Sequence, residues 1–222
     1  MERSSDIHAG PLLDDHPTVW RWSLVLWVLA GFLFIAMAVP VLRDLVQAVD
    51  DEVWQLVVDL ENDALVTIAK VFDFVGSSWV TVPVVIGVGV ALAYLRRWWQ
   101  LGTWIPAMII SQLLIGPVKN LYARPRPPLP LVETTSWSFP SGHAVAAAAI
   151  VVALVIVWTR PGPLRRNLSV LAALFALFMA MSRVYLRAHW LSDVAAGVAL
   201  GTAAALGTAA AVQWYRSRRT SA

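Results

Sequence analysis

Long runs of uncharged, apolar residues constrain this chain more than any other feature of its sequence. A helix needs about 20 mostly apolar residues to cross the hydrocarbon core of a membrane. Six stretches approach that length, at residues 20–42, 79–95, 101–118, 142–159, 168–181 and 190–214. Only 14% of the 222 residues are charged, compared with about a quarter in soluble domains. We therefore predict an all-α, integral-membrane bundle of six transmembrane helices.

An acidic segment of a different kind separates the first two stretches. Its polar face is acidic and its apolar residues recur at helical spacing, which is typical of a helix that lies at the membrane interface or packs on the bundle. The apolar positions are Val53, Leu56, Val57, Leu60, Ala64 and Ile68. The sixth stretch is rich in Ala and Gly, which let helices approach closely in lipid, so we expect it at the centre of the bundle. The fifth stretch is short, and we expect its helix to extend through Arg183.

The chain divides into three parts. Residues 1–19 form a polar N-terminal segment without the basic start and short apolar core of a signal peptide, and we expect no function for its His8 and His16. Residues 20–215 form the transmembrane domain, and residues 216–222 form a basic tail. Cysteine is absent, which excludes disulfides and thiolate chemistry.

The arginines predict which side of the membrane each loop occupies. With six spans, three basic segments without any acidic residue fall on one side. They contain Arg96 and Arg97, then Arg160, Arg165 and Arg166, and finally Arg216, Arg218 and Arg219. Because cytoplasmic loops carry an excess of Lys and Arg, we expect this side and both termini to be cytoplasmic. The loops on the opposite face are also basic, and their charges need another explanation.

Two polar clusters on that opposite face each have a simple structural explanation when taken alone. The stretch KNLYARPRP contains Lys119, Arg124 and Arg126; since proline cannot continue a helix, this could be a charged helix end. The stretch PSGH, which ends at His143, could be a helix N-cap in which Ser141 accepts hydrogen bonds from the first turn.

A third cluster, SRVYLRAHWLSD, changes the interpretation of all three. It contains Ser182, Arg183, His189 and Asp193. The last two lie four residues apart on one helical face, as the members of a structural ion pair also would. Ionisable groups at the ends of membrane bundles are costly and usually functional. Asp193 is the single carboxylate that we expect within range of these cations, so the clusters predict that an anion binds between them.

A phosphate ester fits this set of residues. Arg forks bind phosphate oxygens bidentately, and the N–H groups of Ser141 and Gly142 at a helix start offer a further anion site. Phosphoryl transfer needs a nucleophile and a proton for the leaving oxygen. Asp193 can orient His189 as the nucleophile and stabilise its charge. His143 can then act as the general acid toward the leaving group.

Together the three clusters resemble the signature of the type 2 phosphatidic acid phosphatase superfamily. That signature is a lysine, six residues and Arg-Pro, then Pro-Ser-Gly-His, then Ser-Arg, five residues, His, three residues and Asp. All three elements are complete and in order between residues 119 and 193. The acidic segment that ends in VGSS is also similar to bacterial members.

The resemblance implies an active site at the extracytoplasmic membrane surface and metal-independent dephosphorylation through a phosphohistidine on His189. It implies that His143 is the acid and that Asp193 is the partner of His189. The residues that it implies for phosphate binding are Lys119, Arg126, Ser141, Gly142 and Arg183. No metal or other cofactor is expected, since the loops of the three clusters lack a carboxylate cluster. For Arg124 and Arg187, contact with the headgroup or interface and simple solvation both remain open.

The expected substrate is a membrane lipid phosphate whose tail stays in the bilayer. Polyprenyl diphosphate, phosphatidylglycerol phosphate and phosphatidic acid all fit, with a preference on family grounds for an isoprenoid diphosphate or broad specificity. Phosphotransfer to an alcohol would use the same pocket. Vanadium-dependent haloperoxidases share the pocket signature but are soluble, unlike a six-span chain. A transporter with a basic vestibule is the non-enzymatic alternative, but the predicted spans carry almost no mid-membrane charges. No nucleic-acid partner is expected, and the oligomeric state stays open.

Overall fold

The protein is described here by a computed structural model that covers Leu13, residues 16–113 and residues 115–220. Its regular secondary structure is all helical, with no strand in that part of the chain, and residues 123–141 form a long loop. The helices are α1 (His16–Ala38), α2 (Pro40–Asp59), α3 (Asp63–Gly76), α4 (Ser78–Tyr94), α5 (Trp98–Leu113), α6 (Ile115–Tyr122), α7 (Gly142–Trp158), α8 (Pro163–Tyr185) and α9 (Leu191–Thr220). Most of the polar N-terminal segment, with His8 and the side chain of His16, lies outside the described residues.

Fewer helices than the six that the sequence predicts are long and apolar enough to be candidate membrane spans in the described part of the chain. Within the described residues, four helical stretches are long and apolar enough to cross a membrane: Thr18–Ala38, Trp98–Tyr122, Pro163–Tyr185 and Leu191–Arg219. Helices α3 and α4 pass the same test as a pair bent by 44°, which gives up to five. Helix α7 is apolar but has 17 residues, fewer than the roughly 20 that span a bilayer. The chain is a multi-pass membrane protein, and the count of six is not confirmed.

Two helix boundaries differ from the prediction. The first span was expected to reach residue 42, but α1 ends at Ala38 and Pro40 begins α2. Proline suits the first position of a helix because an N–H at that position would have no intrahelical acceptor, so no hydrogen bond is lost. At the other end, α9 continues through residues 216–220, which the sequence assigned to a separate tail. There the guanidinium of Arg218 lies 4.0 Å from the ring centroid of Trp214, a contact at i,i+4 spacing that favours continued helix.

The acidic segment forms two helices rather than one. Helices α2 and α3 are separated at Asn62, whose side chain accepts hydrogen bonds from the N–H groups of Ala64 and Leu65 and so caps α3. The apolar spacing predicts one continuous helix, but α2 ends at Asp59 and a new helix begins after Asn62. Both helices keep exposed apolar residues, which include Leu45, Val49, Leu56, Leu65, Ile68, Val71 and Phe74.

Helix α9 lies at the centre of the bundle, as its small residues predict, and contacts α1, α5, α7 and α8. Two glycines set its distance from α7. A Cβ on Gly197 would lie 2.8 Å from the Ser141 carbonyl oxygen, and one on Gly201 would overlap the carbonyl oxygen of Val145. Only glycine permits this approach of two backbones. The contact brings the first turns of α7 and α9 side by side.

Helix α8 extends through Arg183, as expected from the sequence. Its last turn, the start of α7 and the start of α9 all lie at the same end of the bundle, where α2 and α3 pack across them. That end carries all three polar clusters.

Candidate active site

His189 and Asp193 form a buried pair at the start of α9. The Nδ1 atom of His189 lies 3.4 Å from Asp193 Oδ2, and their side chains are 2% and 0% exposed. The same carboxylate oxygen accepts hydrogen bonds from the Trp190 N–H, at 2.9 Å, and from the Ser138 hydroxyl. Burial lowers the pKa of His189 from 6.5 to about 3, helped by the charge of Arg126 and opposed by Asp193. The imidazole is therefore neutral at physiological pH.

Arg126 lies on the other side of the His189 ring. Its Nη1 atom is 3.3 Å from His189 Nε2 and donates to the Ala188 carbonyl oxygen at 2.5 Å, while its Nε donates to the Ser136 carbonyl oxygen at 2.6 Å. Burial and the neighbouring charge of Arg183 lower the pKa of Arg126. The guanidinium thus holds a positive charge beside the nitrogen of His189 that does not face Asp193.

Lys119 enters the same region from the end of α6. Its Nζ donates to the Trp137 carbonyl oxygen and lies 3.5 Å from that of Ser138. Because Arg126 Nη2 also donates to Trp137 O, at 3.4 Å, one stretch of loop backbone holds both cations. The two cations of the first cluster are therefore held by the loop that leads into the second cluster.

Ser141 differs in part from the expectation. Its Oγ accepts from the Ala144 N–H at 3.5 Å, so the serine is the N-cap of α7. Its own N–H donates to the Asp193 carbonyl oxygen at 3.1 Å, and so it is already bonded rather than free for an anion. Gly142 is the first residue of α7, where an N–H has no intrahelical acceptor. Gly142 is therefore the member of the pair whose N–H suits an anion.

His143 and Arg183 meet at a carboxylate that the three sequence clusters do not contain. Asp73, on α3, accepts a hydrogen bond from Arg183 Nη1, and its Oδ1 lies 3.3 Å from His143 Nε2. That second contact is close but not aligned as a hydrogen bond. Arg183 in turn accepts the His189 N–H on its carbonyl oxygen, at 3.2 Å. The expectation that Asp193 is the single carboxylate in range is therefore wrong.

Arg124 occupies the centre of a buried ion network. Its Nη1 donates to Asp193 Oδ1 at 2.6 Å and to the Ser192 hydroxyl at 2.7 Å, and its Nη2 donates to Asp50 Oδ2 at 2.7 Å. Asp50 also accepts the Ser192 N–H at 2.9 Å, so that α2 caps the start of α9. The network holds the carboxylate of Asp193 in place from the side opposite His189.

The two arginines whose roles the sequence left open are both buried, and neither is simply solvated. Arg187 pairs with Glu61 at 2.8 Å, and the side chain of Arg187 is 6% exposed. Arg124 is committed to the network around Asp50 and Asp193.

A signal for the two missed aspartates exists in the sequence. Asp50 lies three and seven residues before Val53 and Val57, and therefore on the apolar face of α2. Asp73 lies four residues after Ala69 and three before Gly76, the two buried positions of α3. A carboxylate on the apolar face of an amphipathic helix predicts a buried partner.

Two further observations bear on what the site can bind. Within the described parts of the chain, no group of three or more His, Asp or Glu side chains is arranged to hold a metal ion. A cavity of about 320 Å³ reaches from His143 along α4, α5 and α7, and apolar residues form most of its wall, among them Val82, Val85, Ile86, Met108 and Ile150.

Comparisons with known proteins agree with this architecture. The chain is 28% identical over 173 residues to phosphatidylglycerophosphatase B of Bacillus subtilis, covering 76% of this chain and 85% of that one. It is 30% identical over 135 residues to an undecaprenyl-diphosphatase of Sulfolobus acidocaldarius, covering 57% and 61% of the two chains.

Two solved structures share the fold. One is the first transmembrane PAP2 type phosphatidylglycerolphosphate phosphatase from Bacillus subtilis, with a TM-score of 0.73 at 24% identity over 88% of this chain and 96% of that one. The other is Aquifex aeolicus LpxE, with a TM-score of 0.58 at 23% identity over 71% and 92%.

The model of the PAP2 superfamily matches residues 98–217, more than half of the chain and all three polar clusters. With that match, the chain belongs to the PAP2 superfamily, and it is a metal-independent phosphatase.

Proposed function

We propose that this phosphatase removes the terminal phosphate of a membrane lipid phosphate or diphosphate through a phosphohistidine on His189. The observation that carries the proposal is the setting of that histidine: Nδ1 faces Asp193, and Nε2 lies beside Arg126. Because burial lowers the pKa of His189 to about 3, Nε2 keeps a lone pair for attack on phosphorus. Asp193 orients the ring and stabilises the charge that forms on it.

The cations around His189 supply the second requirement of phosphoryl transfer, which is stabilisation of charge on the equatorial oxygens. Arg126 and Lys119 approach from the loop side, and Arg183 approaches from the end of α8. The N–H of Gly142 adds a donor at the positive end of α7. His143 then protonates the leaving oxygen and later accepts a proton from the attacking water.

A lipid substrate is supported by the cavity beside His143. The cavity lies between α4, α5 and α7 and is walled by apolar residues, so that an alkyl or isoprenoid tail can extend along the helices while its phosphate reaches the cations. Relatives named for phosphatidylglycerophosphate and undecaprenyl diphosphate make these two lipids the first candidates, with phosphatidic acid as the third.

We also propose a topology for the bundle. Helices α1, α4, α5 with α6, α7, α8 and α9 cross the membrane, and α2 and α3 lie at the interface with their exposed apolar residues in lipid. The arginine-rich segments then lie in the cytoplasm with both termini, and the site faces the extracytoplasmic side. The support for this arrangement is the charge distribution, and the short α7 fits if the bilayer thins locally beside it.

Phosphate release from the purified protein in detergent tests the substrate. The assay compares undecaprenyl diphosphate, phosphatidylglycerol phosphate and phosphatidic acid, each with and without added alcohol. Free phosphate as the product supports hydrolysis, whereas a phosphorylated alcohol in place of free phosphate indicates phosphotransfer.

The matched control is His189→Ala, for which we expect no turnover and no acid-labile phosphoenzyme after a quench with labelled substrate. If His189→Ala retains the turnover of the wild type, the phosphohistidine assignment is wrong.

A further inference from the structure

The carboxylate of Asp73 has no role in the mechanism above, yet it lies inside a site built for anions. Its Oδ1 accepts a hydrogen bond from Arg183 Nη1 and lies 3.3 Å from His143 Nε2. A negative charge at this position repels a phosphate, and so it lowers affinity unless it performs some other task. Its partners suggest that task, because one of them is the proposed acid.

Asp73 distinguishes the two nitrogens of His143. Nε2 is buried and faces the carboxylate, with no other hydrogen-bond partner among the described residues. A carboxylate favours a proton on the ring nitrogen that faces it. Nδ1 is then the nitrogen left to face a substrate. The side chain of His143 remains 26% exposed, so a proton lost from it can be replaced from water.

The backbone of α3 holds the ring beside Asp73. A Cβ on Gly76 would lie 2.6 Å from His143 Cδ2, which means that the imidazole packs directly against the helix that carries the aspartate. Catalytic hydrogen bonds are often long or poorly aligned until substrate binds, and a small rotation of the ring would align Nε2 with Asp73 Oδ1.

We propose that Asp73 is a positioning residue for His143, which holds a proton on Nε2 so that Nδ1 performs the proton transfers of the reaction. The proposal rests on the proposed function, in which His143 is the general acid. It gives the site two His–Asp pairs, one for the nucleophile and one for the acid. Through Arg183, Asp73 also couples the acid to a phosphate-binding cation.

The proton transfers then balance. When the lone pair of His189 Nε2 forms a bond to phosphorus, the bond from phosphorus to the leaving oxygen breaks, and that oxygen keeps the electron pair and takes the proton of His143 Nδ1. His143 is left neutral, with its Nε2–H toward Asp73. In the second half-reaction Nδ1 accepts a proton from water, whose oxygen bonds to phosphorus while the N–P bond breaks and returns its electrons to His189.

The test compares two substrates that differ in their need for an acid: phosphatidylglycerol phosphate, whose leaving alkoxide must be protonated, and p-nitrophenyl phosphate, whose leaving group needs little help. We expect Asp73→Asn to lower kcat on the lipid about 10- to 100-fold, part of the about 10²–10⁴-fold that acid catalysis contributes. On the aryl phosphate we expect a loss in kcat below about threefold. Any weakening of phosphate binding through Arg183 raises KM on both substrates alike.

The matched control is Asp63→Asn, which removes the same charge from an exposed position on the same helix and should change neither kcat. The double variant with His143→Ala should be no slower on the lipid than His143→Ala alone, since Asp73 acts through that ring. Thermal melting in detergent shows whether each variant is folded, and Asp73→Glu provides a second variant that keeps the charge and should recover part of the lost kcat.

Two outcomes separate this proposal from the function beneath it. In the first outcome, the loss of kcat in His143→Ala depends on the leaving group, but Asp73→Asn slows both substrates equally, or the kcat losses of the two single variants multiply in the double variant. Asp73 then has no positioning role, and His143 remains the acid. If His143→Ala itself shows no dependence on the leaving group, the acid assignment fails and the role of Asp73 fails with it.

Discussion

The two histidines of this site each face an aspartate, but in different surroundings. His189 and Asp193 are 2% and 0% exposed, whereas His143 and Asp73 are 26% and 30% exposed. Burial lowers the pKa of His189 and suits it to act as a nucleophile, which must be neutral. The more exposed pair, His143 and Asp73, is called the open pair here, and it can exchange protons with water, as an acid must between turnovers. The difference teaches that solvent access rather than residue type distinguishes the two proposed roles, nucleophile for His189 and acid for His143.

The charges around the pairs differ as well. Asp193 is held by Arg124, Ser138 and the N–H of Trp190, so the aspartate of the buried pair has several partners. Asp73 is held by Arg183, which is itself a proposed phosphate ligand. The buried pair is thus supported by the protein interior, while the open pair is exposed to the charge of the substrate.

The largest effect is expected from Asp193→Asn, which removes the charge of the buried pair. We expect kcat to fall about 10³- to 10⁴-fold, as for the orienting carboxylate of a catalytic triad. The loss should be the same on phosphatidylglycerol phosphate and on p-nitrophenyl phosphate, because the nucleophile serves both. A loss confined to the lipid would mean that the buried pair serves the leaving group, contrary to the comparison.

The next effect concerns the support of the buried pair. Arg124→Ala leaves Asp50 and Asp193 as unpaired buried charges, which we expect to cost about 3–5 kcal/mol and to lower Tm by on the order of 10 °C. Arg43→Ala is the control, because Arg43 is 53% exposed in its ion pair with Asp44 and should change Tm little. Equal melting temperatures for the two variants would show that the network is not structural support.

A smaller effect is expected where the open pair packs on α3. Gly76→Ala places a methyl group 2.6 Å from His143 Cδ2 and 2.8 Å from Met179 Sδ, so the ring or the methionine must move. We expect kcat on the lipid to fall about 10-fold, with less change on the aryl phosphate. Gly102→Ala, where nothing lies within 4 Å, should leave both rates unchanged. A normal kcat for Gly76→Ala would contradict the expectation that the added methyl group displaces the ring of His143 from its working position.

The smallest effect is on stability as a function of pH. Because folding lowers the pKa of His189 from 6.5 to about 3, the unfolded chain binds more protons between these values, and stability falls as the pH falls through that window. From pH 7 to pH 5.5 this amounts to about 1 kcal/mol. His189→Gln should therefore show a weaker decrease of Tm over that range. An unchanged pH dependence would argue against a neutral, buried imidazole.

The meeting of the three clusters could be predicted from the sequence because alternating helices bring their connecting loops to the same end of a bundle. The same argument does not place the acidic segment, since whether it lies in the interface or folds across the site depends on tertiary packing. Asp50 and Asp73 enter the site through that packing. Their positions on apolar helix faces were the one local signal.

The N–H of Ser141 shows a second limit. A helix start offers its free N–H groups equally to a capping residue, to an anion or to a neighbouring carbonyl. Sequence motifs identify the helix start but not the acceptor. The acceptor here is the carbonyl oxygen of Asp193, which becomes available only because α7 and α9 pack so closely.

That close packing has a consequence for the geometry of the reaction. His143 and Asp193 lie in the first turns of α7 and α9, and Gly197 and Gly201 determine how near those helices come. The spacing between His143, the proposed acid, and Asp193, the partner of the proposed nucleophile His189, is therefore set by the absence of two methyl groups inside the bundle rather than by the loops. An enlarged residue at either glycine would act as a wedge, widening the reaction centre without touching a single reactive atom.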